Sequence, residues 1–360
     1  MIDTIHRWGG GLIGLFLALV GLSGALLIHR DPLVALTMPA AIDGNQDALI
    51  QQFASDPDLQ ARFIVLPSER LGHWRIMGPD NSGAYVDGAG TILSQWDHAW
   101  QRPEWFLFDL HTNLLLGETG SLITGLFAVG GLLFVGTGIW LWWPLRKTFA
   151  WRLWPKRLSR PSIVRHHRDL GVVIAPLLTL SLLTGAAMAI KPIGAVLVMP
   201  LNSPAELQAA LMPPDAVGAD PVKPIAWPRI LRETRAAYPE AELRIIGLPP
   251  AANKPMFMRV RQPGEWTANG RTMLWFHPQT GALLDNNDGL NLIPGLQAYF
   301  SFLPLHTGEA GGTVMRIVMT LSGLALGLLG SFAVWTFWFR SPVKREDSAG
   351  PVAAVTKNAR

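Results

Sequence analysis

Residues 9–28 read GGGLIGLFLALVGLSGALLI, twenty consecutive positions without a charge. At about 1.5 Å of rise per residue, a helix of this length crosses a hydrocarbon core roughly 30 Å thick. His6 and Arg7 precede the run, and Ile28-His29-Arg30-Asp31-Pro32 closes it as a helix exit. No small-residue cleavage site follows, and the apolar stretch is too long for a signal peptide, so it reads as a retained anchor. Three further uncharged runs follow: Thr119–Leu145, Leu170–Ile190 and Ile317–Phe339. The bulk composition agrees, with 49% hydrophobic and 16% charged residues among 360. The expected fold is a membrane protein of four transmembrane α-helices.

Orientation follows from the basic residues. Between Leu145 and Asp169 stand eight Lys and Arg and no acid, and Arg340, Lys344 and Arg345 follow the last span. Lys and Arg near helix ends remain in the cytoplasm. Both termini and this short loop are therefore expected in the cytoplasm, with residues 30–118 and 191–312 outside. This loop carries much of the net charge of +4. Contact with anionic lipid accounts for it, and no nucleic-acid partner is needed. The chain has no cysteine. Disulfides, iron–sulfur clusters, Cys-bound zinc and covalent haem attachment are thereby excluded.

The chain also repeats itself, and the repeat organises everything that follows. Ile5-His6-Arg7-Trp8-Gly9-Gly10 opens the first span and His166-His167-Arg168-Asp169-Leu170-Gly171 the third, both reading His-Arg-x-x-Gly. Leu110-His111-Thr112 introduces the second span and Leu305-His306-Thr307-Gly308 the fourth. Each half is thus a helix, an outer segment and a second helix, which suggests two repeats related by a pseudo-twofold along the membrane normal. The expected divisions are a first span over 1–29, an outer segment over 30–104 and a helix entry with the second span over 105–145. A basic loop over 146–169 leads to the third span over 170–190 and a second outer segment over 191–298. A helix entry with the fourth span covers 299–340, and a tail covers 341–360.

Both outer segments read as mixed α/β. Strands are expected at His73–Met77, Ala84–Val86, Thr91–Gln95, Met256–Arg261, Thr272–His277 and Ala282–Leu284, separated by Gly, Pro, Asn and Asp turns. Helices are expected at Ala48–Phe53 and Ile230–Tyr238, and 197–228 reads as a Pro- and Ala-rich linker.

The nine histidines are the candidate site residues. Four occupy matched points of the repeat, so His6 is expected to face His167 on the inner side and His111 to face His306 on the outer side. Two imidazoles across a helix bundle are what a b-type haem needs, and two such pairs suggest two non-covalent haems. His166 is the off-by-one alternative to His167, and His29 is a reserve ligand at the outer end of the first span. Arg7 and Arg168 each follow a candidate ligand and can pair with haem propionates through a bidentate fork, besides serving the positive-inside signal. His73, His98 and His277 read as strand or surface histidines. Gly10, Gly14, Ala18, Gly21 and Ala25 form a small-residue stripe, for close helix packing or for room beside a flat macrocycle. No strand, Gly-rich loop and helix unit with a following acid suggests a flavin or nicotinamide site.

At these residues the sequence resembles the PepSY-associated transmembrane family. The matches are Ile5-His6-Arg7-Trp8 with Gly10, residues 109–120 around His111, Trp142-Trp143-Pro144, His167-Arg168 with Gly171, and Pro304-Leu305-His306-Thr307-Gly308. Tyr85-Val86-Asp87-Gly88 and Phe276-His277-Pro278-Gln279-Thr280-Gly281 look like the strand-turn-strand of PepSY domains. Within the family it is most similar to inner-membrane ferric-siderophore reductases such as the ferrioxamine B reductase. His29 departs from the pattern, since relatives often carry an aromatic residue there. The resemblance implies two periplasmic α/β PepSY-like domains, two b haems, and an enzyme that reduces a periplasmic ferric siderophore and releases Fe(II). Its electron donor is then a cytoplasmic reductase or quinol. The alternatives are a non-enzymatic anchor whose PepSY domains bind a periplasmic protein, and a haem subunit serving another acceptor such as copper, a quinone or a partner enzyme.

Overall fold

The computed structural model describes residues 1–339. The tail expected over 341–360, with Arg340, Lys344 and Arg345, lies outside the described residues. In the first half, α1 (Ile2–Leu27) is followed by α2 (Arg30–Ala35), α3 (Gln46–Ser55), β1 (Phe63–Val65), β2 (Trp74–Met77), β3 (Gly83–Val86) and β4 (Ile92–Trp96). Then come α4 (Pro103–Asn113) and α5 (Gly117–Trp142). The second half holds α6 (Arg160–Ala189), α7 (Lys191–Val198), α8 (Pro204–Leu211), α9 (Trp227–Ala237), β5 (Glu242–Gly247), β6 (Met256–Arg261), β7 (Thr272–Phe276) and β8 (Leu283–Asn287). It ends in α10 (Pro294–Thr307) and α11 (Gly312–Trp338). Both halves run from a spanning helix through shorter helices, two in the first half and three in the second, to four strands, a short helix and a second spanning helix.

Among the described residues, four helices are long and apolar enough to cross a membrane: α1, α5, α6 and α11, the second and fourth extended by short 3-10 turns. They form a ring in which α1 packs on α11 and α5, and α6 packs on α5 and α11. Helices α1 and α6 therefore stand across the diagonal. The tightest approach is between α1 and α11. A Cβ on Gly21 would lie 2.7 Å from the carbonyl oxygen of Gly323, and one on Gly323 would lie 2.7 Å from that of Gly21. Only glycine lets two backbones meet so closely, which is the packing expected of small residues in a bilayer.

Beyond one end of the bundle lies a single antiparallel sheet in the order β4-β3-β2-β1-β5-β6-β7-β8. The two outer α/β segments expected from the sequence share this one sheet. Strands β1 and β5, which the sequence pattern did not reveal, pair Ile64 with Ile246 and weld the halves into one sheet. A row running Ala84, Ile76, Ile64, Ile246, Met258 and Leu274 crosses it with every residue wholly buried. Helices α3 and α9 cover that face through Ile50, Phe53, Ile230 and Leu231. The neighbouring row, Tyr85, Arg75, Val65, Ile245, Arg259 and Met273, points to the opposite face. Side chains alternate across a strand, so a face of arginines lies under a face of aliphatics.

The remaining differences are local. Residues 197–228 are not simply a linker, because α8 forms there with Ser203 and Glu206 as a capping box. The helix entries are separate helices. Helix α4 stops where Leu114 and Leu115 turn left-handed (φ 52° and 62°), and α10 stops at Gly308 (φ 77°).

Candidate functional site

The bundle encloses two cavities, one toward the chain termini and one toward the sheet. The termini-end cavity, about 530 Å³, is lined by His6 on α1 and His167 on α6, which project from the two diagonal helices. Their ring centres stand 6.3 Å apart. Gly10 and Gly171, four residues on from each histidine, share those helix faces and line the same space. A Cβ added at Gly171 would meet nothing within 4 Å.

The sheet-end cavity, about 550 Å³, contains His111 and His306. Here the rings come from the short helices α4 and α10, and their centres are 6.0 Å apart. The two imidazoles are held in matching ways. His111 Nδ1 donates to the Val20 carbonyl of α1 at 3.0 Å, and His306 Nδ1 donates to the Ser181 carbonyl of α6 at 3.0 Å. Each ring lies beside a glycine one turn on: a Cβ would approach His111 Cε1 to 2.7 Å at Gly24 and His306 Cε1 to 3.3 Å at Gly185.

These bonds fix the tautomers. A carbonyl only accepts, so the proton sits on Nδ1 and the Nε2 lone pair is left free for a metal. His6 reaches the same state through a hydroxyl. Thr137 donates its proton to the Leu133 carbonyl at 2.7 Å, and its oxygen then accepts from His6 Nδ1 at 2.9 Å.

Two imidazoles on one iron have ring centres about 6.2 Å apart, from two bonds of about 2 Å and about 1.1 Å from each nitrogen to its ring centre. The separations of 6.3 and 6.0 Å match that figure. Among the described residues no three His, Cys, Asp or Glu side chains gather as a metal cage. Each pair therefore suits a group that brings its own equatorial ligands. The ring spacing of both pairs, the Nδ1 bonds of His6, His111 and His306, and the open space at Gly171 suit a haem.

Four leucines, Leu17, Leu178, Leu182 and Leu326, line both cavities. The septum between the two sites is one side chain thick and wholly apolar.

The other candidates fall elsewhere. His166 is fully buried, donates from Nδ1 to the Arg152 carbonyl at 2.9 Å and rests against Phe332, outside both cavities. His29 also lies outside both, and its Nε2 bonds Thr320 at 2.8 Å. Arg7 and Arg168 line the termini-end cavity with attachments of their own. Arg7 is 3.6 Å from Asp3, and Arg168 donates to Asp169 at 2.8 Å and to Thr148. His73 is buried against the Pro39 carbonyl, and His277 contacts that of Val217. Sequence reasoning missed the arginines of the sheet-end cavity: Arg30, Arg70, Arg259 and Arg271 line it beside Asp31 and Glu309.

The family described as PepSY-associated TM region matches residues 4–340. No curated protein matches the chain.

Proposed function

The chain belongs to the PepSY-associated transmembrane family, and from that premise we propose that it is a haem-dependent ferric-chelate reductase spanning a bacterial inner membrane. The basic loop between α5 and α6 puts the termini in the cytoplasm and the sheet in the periplasm. The observation that carries the reading is the two facing imidazole pairs, one at each end of the bundle, with a single leucine layer between them.

His6 and His167 hold one b haem, and His111 and His306 hold the other. When bound, each haem supplies a one-electron Fe(III)/Fe(II) couple. The protein's contribution is positional. The carbonyls of Val20 and Ser181 and the Thr137 hydroxyl aim three of the four imidazoles, and the leucines exclude water between the sites. The substrate is a periplasmic ferric siderophore, whose iron goes from Fe(III) to Fe(II). Reduction weakens the hold of hard oxygen donors on the metal, and no acid or base is required. Reducing equivalents enter at the termini end from a cytoplasmic reductase or quinol.

Anaerobic reoxidation of the dithionite-reduced protein by a panel of ferric chelates tests the proposal. A red protein whose reduced bands decay on mixing supports it. A colourless protein after haem-sufficient expression favours a non-enzymatic anchor instead, and a red protein inert to every ferric chelate points to another acceptor.

A further inference from the structure

Two cations of the sheet-end cavity, Arg259 and Arg271, have no carboxylate within ion-pair distance among the described residues. Arg259 lies on the bundle-facing row of β6, and Arg271 lies just before β7. Both line the space that holds His111 and His306. Among the described residues neither makes an ion pair, and the Nε of each is buried without a partner. Their guanidiniums rest only on ring faces, Arg259 5.8 Å from Phe257 and Arg271 4.5 Å from Phe300. The neighbouring arginines are engaged: Arg30 with Asp31 at 3.2 Å, and Arg70 with the Ile28 carbonyl at 2.8 Å. Burial, with each other's charge adding to it at Arg259, pulls both guanidiniums down, Arg259 to about 10. Glu265 opposes this at both and Glu309 at Arg271, yet neither carboxylate touches a guanidinium, and a desolvated charge without a counter-ion in contact is costly. Four arginines and two carboxylates, Asp31 and Glu309, line the cavity, with Glu265 just behind Arg271, so positive charge outnumbers negative there.

The segment that carries Arg271 is built to hold it there. The buried Glu265 carboxylate accepts from the backbone N–H groups of Arg271 and Thr272. Glu309, at the foot of α11, accepts from the Ala268 N–H at 3.0 Å and ties the loop to the bundle. Gly270 sits at φ +66°, where a Cβ would lie 2.1 Å from the Val260 carbonyl oxygen. Thus the loop between β6 and β7 is a wall of the cavity, fixed from both sides.

We infer that Arg259 and Arg271 bind the two propionates of the haem held by His111 and His306, so that the sheet forms part of the cofactor site. The inference rests on the haem reading above. It gives each guanidinium, which touches no carboxylate of the protein, an anion in direct contact through charge-assisted hydrogen bonds. It also separates the two ends: at the termini end the matching arginines already have Asp3 and Asp169.

Haem transfer from the full-length holoprotein to excess apomyoglobin tests this, with the termini-end haem as internal control. In R259Q/R271Q the sheet-end haem should leave about tenfold faster or more, while the termini-end haem leaves at the wild-type rate. R259K/R271K should recover much of the retention, and the sheet-end midpoint potential should fall only in the glutamine variant. Wild-type protein refilled with protohaem dimethyl ester, which lacks the carboxylates, should lose its sheet-end haem as fast as R259Q/R271Q loses ordinary haem. Equal loss rates for wild type and R259Q/R271Q overturn the inference, as does equal acceleration at both ends. Should only the binding of a redox-inert gallium(III) chelate change, the arginines serve the substrate and the inference is again overturned. If R259Q/R271Q does not accumulate, R271Q alone carries the same comparison. A wild-type protein with no haem at all removes the functional proposal instead, so the two failures are distinct.

Discussion

At the termini end, His6 and His167 project from spanning helices α1 and α6, and the arginines beside them are occupied by neighbouring acids. At the sheet end, His111 and His306 sit on short helices that close under the sheet, and the guanidiniums of Arg259 and Arg271 touch no carboxylate. The same imidazole pair is therefore built twice on different foundations. One is a property of the bundle alone, and the other is shared between bundle and extramembrane sheet. A change in the sheet should reach the sheet-end site and leave the other untouched. That is an asymmetry a substrate docking outside the membrane could use.

The largest expected effect separates the pairs outright. His111→Ala or His306→Ala should remove or convert the sheet-end haem, about half of the haem per chain, and spare the other. His6→Ala or His167→Ala should do the reverse, and His166→Ala and His29→Ala should spare both. Pyridine haemochrome content and low-spin spectra report this, and a His29→Ala protein lacking one haem would break the pairing.

Next in size is the seam. Ile64→Ala or Ile246→Ala removes a wholly buried side chain where the two halves of the sheet join, a loss of about 2–5 kcal/mol. Limited proteolysis should cut the sheet sooner, and the sheet-end haem should be lost more readily. If the termini-end haem responds equally, the two foundations are not independent.

Gly24→Ala should cost about 1–3 kcal/mol, because its Cβ meets His111 Cε1 at 2.7 Å and must push the ring. The low-spin signal of the sheet-end haem should shift. Gly185→Ala, at 3.3 Å from His306, should do less. Smaller still is the effect of Thr137→Val, which removes the acceptor of His6 Nδ1 and should weaken haem retention at the termini end by about 0.5–1.5 kcal/mol. At the sheet end Thr184 stands 3.0 Å from His306 Nδ1, but the Ser181 carbonyl also accepts from that nitrogen, so Thr184→Val should cost less.

The four spans and the facing of the histidines were legible because both depend on patterns that the bilayer and the repeat impose on residue type. The welding of the sheet was not. Phe63–Val65 is only three residues long, and Glu242–Gly247 contains a register shift at Leu243/Ile245 that blurs its alternation. Each strand is stabilised chiefly by the other, which no local window contains. The matched endings Ile64-Val65-Leu66-Pro67 and Ile246-Gly247-Leu248-Pro249 were the available signal, since each places a buried strand before Leu-Pro. The break after His111 was hidden for another reason. Leucine at positive φ carries no signature, whereas Gly308 announces the equivalent turn in the second half. Arg259, alternating with Met258 and Val260, reads as the wet side of a half-buried strand. Only the bundle beneath the sheet turns that side into the wall of a cavity.

The central claim is that reducing equivalents leave the protein at the sheet end. Stopped-flow mixing of the fully reduced His6→Ala and His111→Ala proteins with a ferric chelate, without oxygen, tests it most directly. The His6→Ala protein should be reoxidised at the wild-type rate, and the His111→Ala protein far more slowly. A His111→Ala protein reoxidised as fast as wild type would contradict it.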